Sequence, residues 1–146
     1  MSARWDQWTA AWLFTCFALA AHLADEVWHG SFGLYADAGR VLNLILPSLE
    51  LPAFQRELWL VNIAGAILVL FALTWLVRRR STIMVIASYA LAAFVTINGA
   101  IHFLAAAALK SMIPGLWTAP LLLVAGFLLF VAIPRDSGHP AGAAHA

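Results

Sequence analysis

Four long, nearly uninterrupted apolar stretches constrain this chain more than any other feature. They cover about residues 8–26, 58–77, 82–109 and 116–133, and the second begins LWLVNIAGAILVLF. A helix needs roughly 20 apolar residues to cross the hydrocarbon core of a bilayer. Because the stretches are continuous rather than alternating, they favour helices over the strands of a barrel. The sequence therefore predicts an all-α fold, an integral membrane bundle of four transmembrane helices within residues 1–133.

The composition agrees with a membrane protein and argues against a nucleic-acid partner. Of the 146 residues, 64% are hydrophobic and 10% are charged, whereas a soluble domain carries about 25% charged residues. The net charge is +1, and no basic stripe exists that could neutralise phosphates. The single cysteine, Cys16, cannot form an internal disulfide. The expected partners are the lipid bilayer and a lipophilic or small-molecule ligand; small residues in GAIL and NGA suit either packing within one bundle or a homo-oligomer.

The segments that join the apolar stretches predict surface structure. The connection 27–57 contains VLNLILPSLELP, whose two prolines prevent a fifth span, so we expect an interfacial outer loop there. In KSMIPG, Pro114 and Gly115 favour a tight turn before the fourth helix. Residues 134–146 are small and polar, which predicts a disordered C-terminal tail.

The distribution of basic residues predicts the orientation in the membrane. The only dense basic cluster is RRRS at 78–81, which places the connection between the second and third helices in the cytoplasm. Both termini are then cytoplasmic, and Arg4 and Arg135 agree with that orientation.

The first stretch has a second interpretation, as a signal peptide cleaved near ALAA. Asp6 and the tryptophans at positions 5, 8 and 12 make a poor amino-terminal region for such a peptide. The sequence therefore favours a retained helix.

Ionisable residues interrupt the end of the first apolar stretch. In AHLADE, His22, Asp25 and Glu26 lie three and four positions apart and so share one helix face, which His29 joins if the helix continues. In the third stretch, NGAIH places Asn98 and His102 on one face at comparable depth. Asn62 falls at a similar depth because the second helix runs in the opposite direction.

Together these residues predict a polar pocket near the outer face. Ionisable groups at membrane depth are costly and normally face the bundle interior, where they contact one another. Two imidazoles and a carboxylate form a ligand set for zinc, iron or manganese, so we expect His22, Glu26 and His102 to bind a divalent metal. Asp25 and Glu26 are the candidate catalytic carboxylates. Hydrogen bonds that support the ligands are expected from Asn98, Asn62 and His29.

Each of these residues also has a purely structural interpretation. The two histidines could form a buried pair that links helices, and Asn62 could bond to a neighbouring backbone. Asp25 and Glu26 could end the first helix at the headgroups, and His29 could be an interfacial side chain.

The segments HLADE, NGAIH and MIPGLWTAPLLL, taken together, resemble the HXXEE-domain family of small multi-pass membrane proteins. In that family an H-x-x-E-E motif is followed by N-x-x-x-H and then Y-x-P-G. Asp25 departs from the pattern by replacing the first glutamate, and Met112 by standing where the family tends to have tyrosine. The resemblance implies a bacterial inner (plasma) membrane protein, supports the architecture and the site, and implies no particular reaction. Its motifs fall on His22, Asp25 and Glu26, on Asn98 and His102, and on Pro114 and Gly115.

Three functions fit this pattern. The first is a membrane metalloenzyme for a lipophilic or small substrate, in which the metal activates water or polarises a substrate oxygen. Hydrolysis, isomerisation and oxidation are all open, as is a metal-free version with Glu26 as general base. The second function is an ion or small-ligand binding or transport module. The third is a structural accessory subunit with no catalysis.

Overall fold

The chain is built from α-helices. The computed structural model describes residues 2–30, 32, 36, 40, 43–46 and 55–134, and within these residues no strand occurs. This confirms the predicted all-α fold. Most of the predicted outer loop, and residues 135–146 of the predicted tail, lie outside the described residues. The helices follow in the order α1 (Ser2–Trp28), α2 (Arg56–Arg78), α3 (Thr82–Leu109) and α4 (Ala119–Ala132).

In the part of the chain that the structure describes, three helices are long and apolar enough to cross a membrane. The qualifying segments lie in α1, α2 and α3 and contain 22, 23 and 28 residues. Helix α4 has 14 residues, or about 21 Å at 1.5 Å per residue, against a hydrocarbon core of about 30 Å. It is shorter than the predicted stretch 116–133 because residues 114–118 form a turn and Pro120 lies in its first turn.

The outer surface of the bundle is strongly apolar. In α2, only 6% of the most apolar window is buried, and side chains such as Val61 and Leu68 are more than half exposed. Soluble proteins rarely expose continuous apolar patches larger than a few hundred Å². A surface of this kind is consistent with an integral membrane protein.

The helices pack in an order that differs from their order along the chain. α1 packs against both α2 and α4, and α4 packs against α3. The consecutive helices α2 and α3, both fully described, do not pack closely along their length. A cavity of about 540 Å³ lies there, lined by residues of α1, α2 and α3.

Two buried tryptophans fix the first half of α1. Trp8 and Trp12 are 0% and 1% exposed. The indole N–H of Trp8 donates to Ser88 Oγ in α3 at 3.0 Å, and that of Trp12 donates to the Leu70 carbonyl in α2 at 3.1 Å. Because both indole donors are satisfied, the large rings can be buried at this depth. α1 is thereby bound to α2 and α3.

Glycines bring α3 and α4 into close contact. A Cβ atom added at Gly99 would lie 2.9 Å from the Ala119 carbonyl oxygen, and one at Gly126 would lie 2.9 Å from the Ala92 carbonyl oxygen. Small residues permit this close approach of helix backbones. The start of α4 is consequently held against the part of α3 that carries His102.

Candidate metal centre

Three donor groups converge near the C-terminal end of α1. His22 and Glu26 lie one helical turn apart on α1, and His102 reaches them from α3. Glu26 Oε1 is 3.7 Å from His22 Nε2 and 3.3 Å from His102 Nε2. The side chains of His22 and Glu26 are 0% and 4% exposed, and that of His102 is 13% exposed. The structure therefore brings together the three residues predicted as ligands.

The spacing of these donors suits a metal ion. One ligand atom from each of the three residues lies within 4.8 Å of the others. Donors about 2.0–2.2 Å from a tetrahedral ion are about 3.4 Å apart, which is close to the two distances to Glu26 Oε1. Three protein ligands leave a fourth position for water or substrate, as in catalytic rather than structural zinc sites. The group could therefore hold a divalent metal.

Thr118 determines which nitrogen of His22 carries the proton. Its hydroxyl oxygen, just before α4, lies 2.9 Å from both Asp25 Oδ2 and His22 Nδ1. A carboxylate only accepts hydrogen bonds, so the hydroxyl donates to Asp25 and accepts from the His22 Nδ1–H. The Gly115 carbonyl is a more distant acceptor at 3.3 Å. Neutral His22 then has its lone pair on Nε2, the atom that faces Glu26.

Several buried polar atoms of the cluster make no hydrogen bond to the residues that the structure describes. Among the described residues, His22 Nε2, His102 Nδ1 and Asn98 Oδ1 are buried and make no hydrogen bond. A buried polar atom without a partner costs about 1–3 kcal/mol. A ligand that satisfied His22 Nε2 and Asn98 Oδ1 would therefore gain free energy here.

Gly115 closes the cluster on the side of α4. Its φ angle is +82°, in the left-handed region, and an added Cβ atom would lie 2.6 Å from His102 Cε1 and 2.8 Å from His22 Cε1. The two imidazole rings meet edge to face, with centroids 4.7 Å apart. The predicted turn at Gly115 thus also packs directly on both histidines, and only a residue without a side chain fits there.

Asp25 is held at both carboxylate oxygens. Oδ2 accepts the Thr118 hydrogen bond, and Oδ1 lies 2.7 Å from Nδ1 of His29, whose side chain is 49% exposed. The contacts therefore link Asp25 to His22 through Thr118. His29 contacts Asp25 and lies outside the group of three metal donors.

The two asparagines predicted to support the ligands have different positions. Asn98 lines the cavity beside His22 and Glu26. Asn62 is exposed on α2 and does not line that cavity. The structure thus brings Asn98 to the cluster and leaves Asn62 on the surface of α2.

Two residues of the site were not identified from the sequence. Thr118 lies in the segment WTAP, which is typical of a helix start. No neighbouring residue in the sequence indicates that its hydroxyl binds the distant carboxylate of Asp25. Trp59, near the start of α2, lines the cavity. The only sequence signal for Thr118 is its expected depth in the membrane, which is similar to that of Asp25 and His22.

No family model, curated protein or solved structure matches this chain. Membership of the HXXEE-domain family accordingly stays a prediction. The interpretation of the site rests on its geometry.

Proposed function

We propose that this protein is a metal-dependent membrane enzyme in which His22, Glu26 and His102 bind one divalent ion. The observation that carries the proposal is the convergence of three donors, two of them buried, with a buried His22 Nε2 that makes no hydrogen bond among the described residues. Two imidazoles and one carboxylate suit zinc, iron or manganese. A bound ion would supply activation of a water molecule or polarisation of a substrate oxygen.

The surrounding residues support distinct roles in this proposal. Thr118 and Asp25 position His22, since partners on the far side of a ligating imidazole fix its tautomer and raise its basicity. Glu26 and His22 line the cavity between α1, α2 and α3, so a substrate approaches the centre from that cavity. Hydrolysis, isomerisation and oxidation are the reaction classes consistent with the ligand set.

We further propose a four-span topology with both termini in the cytoplasm and the metal centre near the outer face. His22 precedes the last residue of α1, Trp28, by six positions, which corresponds to about 9 Å along the helix. The arginines at the start of the α2–α3 connection support a cytoplasmic location of that connection.

Metal analysis of the purified protein tests the proposal. The protein is extracted in detergent without chelator, and its metal content is measured by mass spectrometry. We expect about one divalent ion per chain in the wild type and loss of that ion in His22→Ala and His102→Ala. His29→Ala is the matched control, because His29 lies in the turn directly after α1 and outside the donor group, and it should retain the ion.

The same preparation distinguishes the other two functions. A wild-type protein that is monodisperse and folded but contains no metal would overturn the enzyme proposal and leave the cluster as a link between helices. Ion-dependent uptake into vesicles that hold the protein would instead identify a transporter. Metal retained equally in His102→Ala would exclude the ligand set.

A further inference from the structure

The cavity beside the metal centre is apolar along most of its length. It extends along α2 from Trp59 to Leu70, a rise of about 16 Å. Its volume of about 540 Å³ falls within the roughly 300–1,000 Å³ of small-molecule sites. A cavity of that volume holds one drug-sized ligand. It therefore suits a lipid with one hydrocarbon tail and is too small for the two tails of a diacyl lipid.

The cavity opens through the gap between α2 and α3. Val69 and Phe94 both line it, yet they are 56% and 55% exposed. Each lies near the middle of a helix that is long and apolar enough to cross a membrane. The opening therefore faces hydrocarbon rather than water, and a ligand reaches it by moving sideways from the bilayer.

The other end of the cavity is polar. His22, Glu26 and Asn98 line it there, and Asn98 Oδ1 is a buried acceptor without a partner among the described residues. That oxygen requires a donor, which a hydroxyl group supplies and an ester or a hydrocarbon does not. Asp25 and Glu26 together balance the charge of a divalent ion, so the site favours a neutral headgroup over an anionic one.

We infer that the cavity binds a single-tailed lipid alcohol. Its tail lies between α2 and α3, and its hydroxyl reaches Asn98 and the metal centre. This inference rests on the proposed function and names the class of its substrate. It assigns binding and orientation to the cavity and makes no statement about the bond that reacts.

Photolabelling in lipid nanodiscs tests this inference. The probe is dodecanol with a diazirine at mid-chain, and labelled peptides are identified by mass spectrometry. We expect labels on α2 and α3 near Ile63–Leu70 and Leu91–Asn98. Excess dodecanol should remove these labels, whereas dodecane and dodecanoate should not.

A variant that fills the cavity provides the decisive comparison. Ala66 lines the cavity, so Ala66→Phe should lower labelling of both segments roughly tenfold. Ala64→Phe is the matched control, because Ala64 is exposed like Ala66 but lies on the opposite face of α2 and does not line the cavity. Equal labelling of the two variants, or labels spread evenly over the lipid-facing surface, would overturn the inference. Competition by dodecanoate as strong as by dodecanol would overturn the assignment of an alcohol.

Metal content measured on the same samples separates the inference from the proposed function. Labelling that depends on Ala66 in a protein without metal would sustain the lipid site and overturn the enzyme. Stoichiometric metal without such labelling would sustain the metal centre and overturn the lipid alcohol as its substrate.

Discussion

At the scale of single residues, Thr118 and Gly115 shape the centre although neither belongs to the donor set. Spacing of three and four along helices, together with matched depth, was enough to predict that His22, Glu26 and His102 meet. The contact of Thr118 with Asp25 joins residues 93 positions apart, and no periodicity within a helix encodes such a pair. The convergence of the three candidate ligands was therefore predictable, and the contribution of Thr118 was not.

Replacing the Thr118 hydroxyl tests its role in holding His22. Thr118→Val keeps the shape but leaves His22 Nδ1 and Asp25 Oδ2 without their shared partner, so we expect a loss of stability of about 1–3 kcal/mol. Metal affinity should fall about 10–100-fold, as for other groups that orient a ligand. Titration against a competing chelator measures the affinity. Thr118→Ser retains the hydroxyl and should stay near wild type; equal affinities for both variants would refute the role.

Gly115 and Gly30 form a matched pair for a test of close packing. Both have positive φ, +82° and +77°, but a Cβ atom at Gly30 would meet nothing within 4 Å. Gly30→Ala should therefore cost only the left-handed strain, about 1–2 kcal/mol. Gly115→Ala adds about 1–3 kcal/mol from overpacking against the imidazoles, and it should also weaken metal binding. Thermal unfolding in detergent and metal content are the measurements; similar losses in both variants would contradict the packing argument.

At the scale of helices, α1 is the central element, since it carries two of the donors and the buried Trp8 and Trp12. The sequence indicated only part of this role. The tryptophans argued against a signal peptide, but nothing in the sequence predicted their hydrogen bonds to Ser88 and to the Leu70 carbonyl. The sequence did not predict which side of α2 faces the other helices. A helix that is apolar on every side has no distinct hydrophobic face that would fix its rotation about its own axis. Asn62 was consequently expected at the cluster, and its side chain is instead exposed.

A double-mutant cycle tests the attachment of α1 to α3. Trp8→Phe removes the indole donor, and Ser88→Ala removes its acceptor, which itself donates to the Met84 carbonyl. We expect each change to lower the free energy of unfolding, with a coupling of about 0.5–1.5 kcal/mol between them. Trp117→Phe, at a 72% exposed position, is the control and should change little. Strict additivity of the two changes would show that the hydrogen bond contributes nothing.

At the scale of the whole molecule, the lengths of the apolar stretches predicted the positions of the helices. They did not determine how many of these helices cross the membrane. α3 covers the same residues, 82–109, as the third apolar stretch. α4 is shorter than the predicted stretch because residues 114–118 form a turn, which places Gly115 and Thr118 at the cluster. The turn residues are mostly apolar, so the hydropathy pattern does not reveal it. The number of spans and the orientation remain predictions.

Cysteine accessibility in intact cells tests that topology. In a Cys16→Ala background, Ser111→Cys should react with a membrane-impermeant maleimide, because we expect the α3–α4 connection to face outward. Ser81→Cys and Ser137→Cys should react only after permeabilisation. Labelling of Ser137→Cys in intact cells would show that α4 does not cross, and a reversed pattern would refute the orientation.

The distribution of donors along the chain has a consequence for biosynthesis. His22 and Glu26 enter the membrane with the first helix, whereas His102 follows only after the whole of α2 has been made. Glu26 lies only two residues before the last residue of α1, so in the nascent chain its carboxyl group lies near the end of the helix and has not yet met His102. A chain that stops before α3 therefore lacks the His102 imidazole, which lies 3.3 Å from the Glu26 carboxylate in the complete fold.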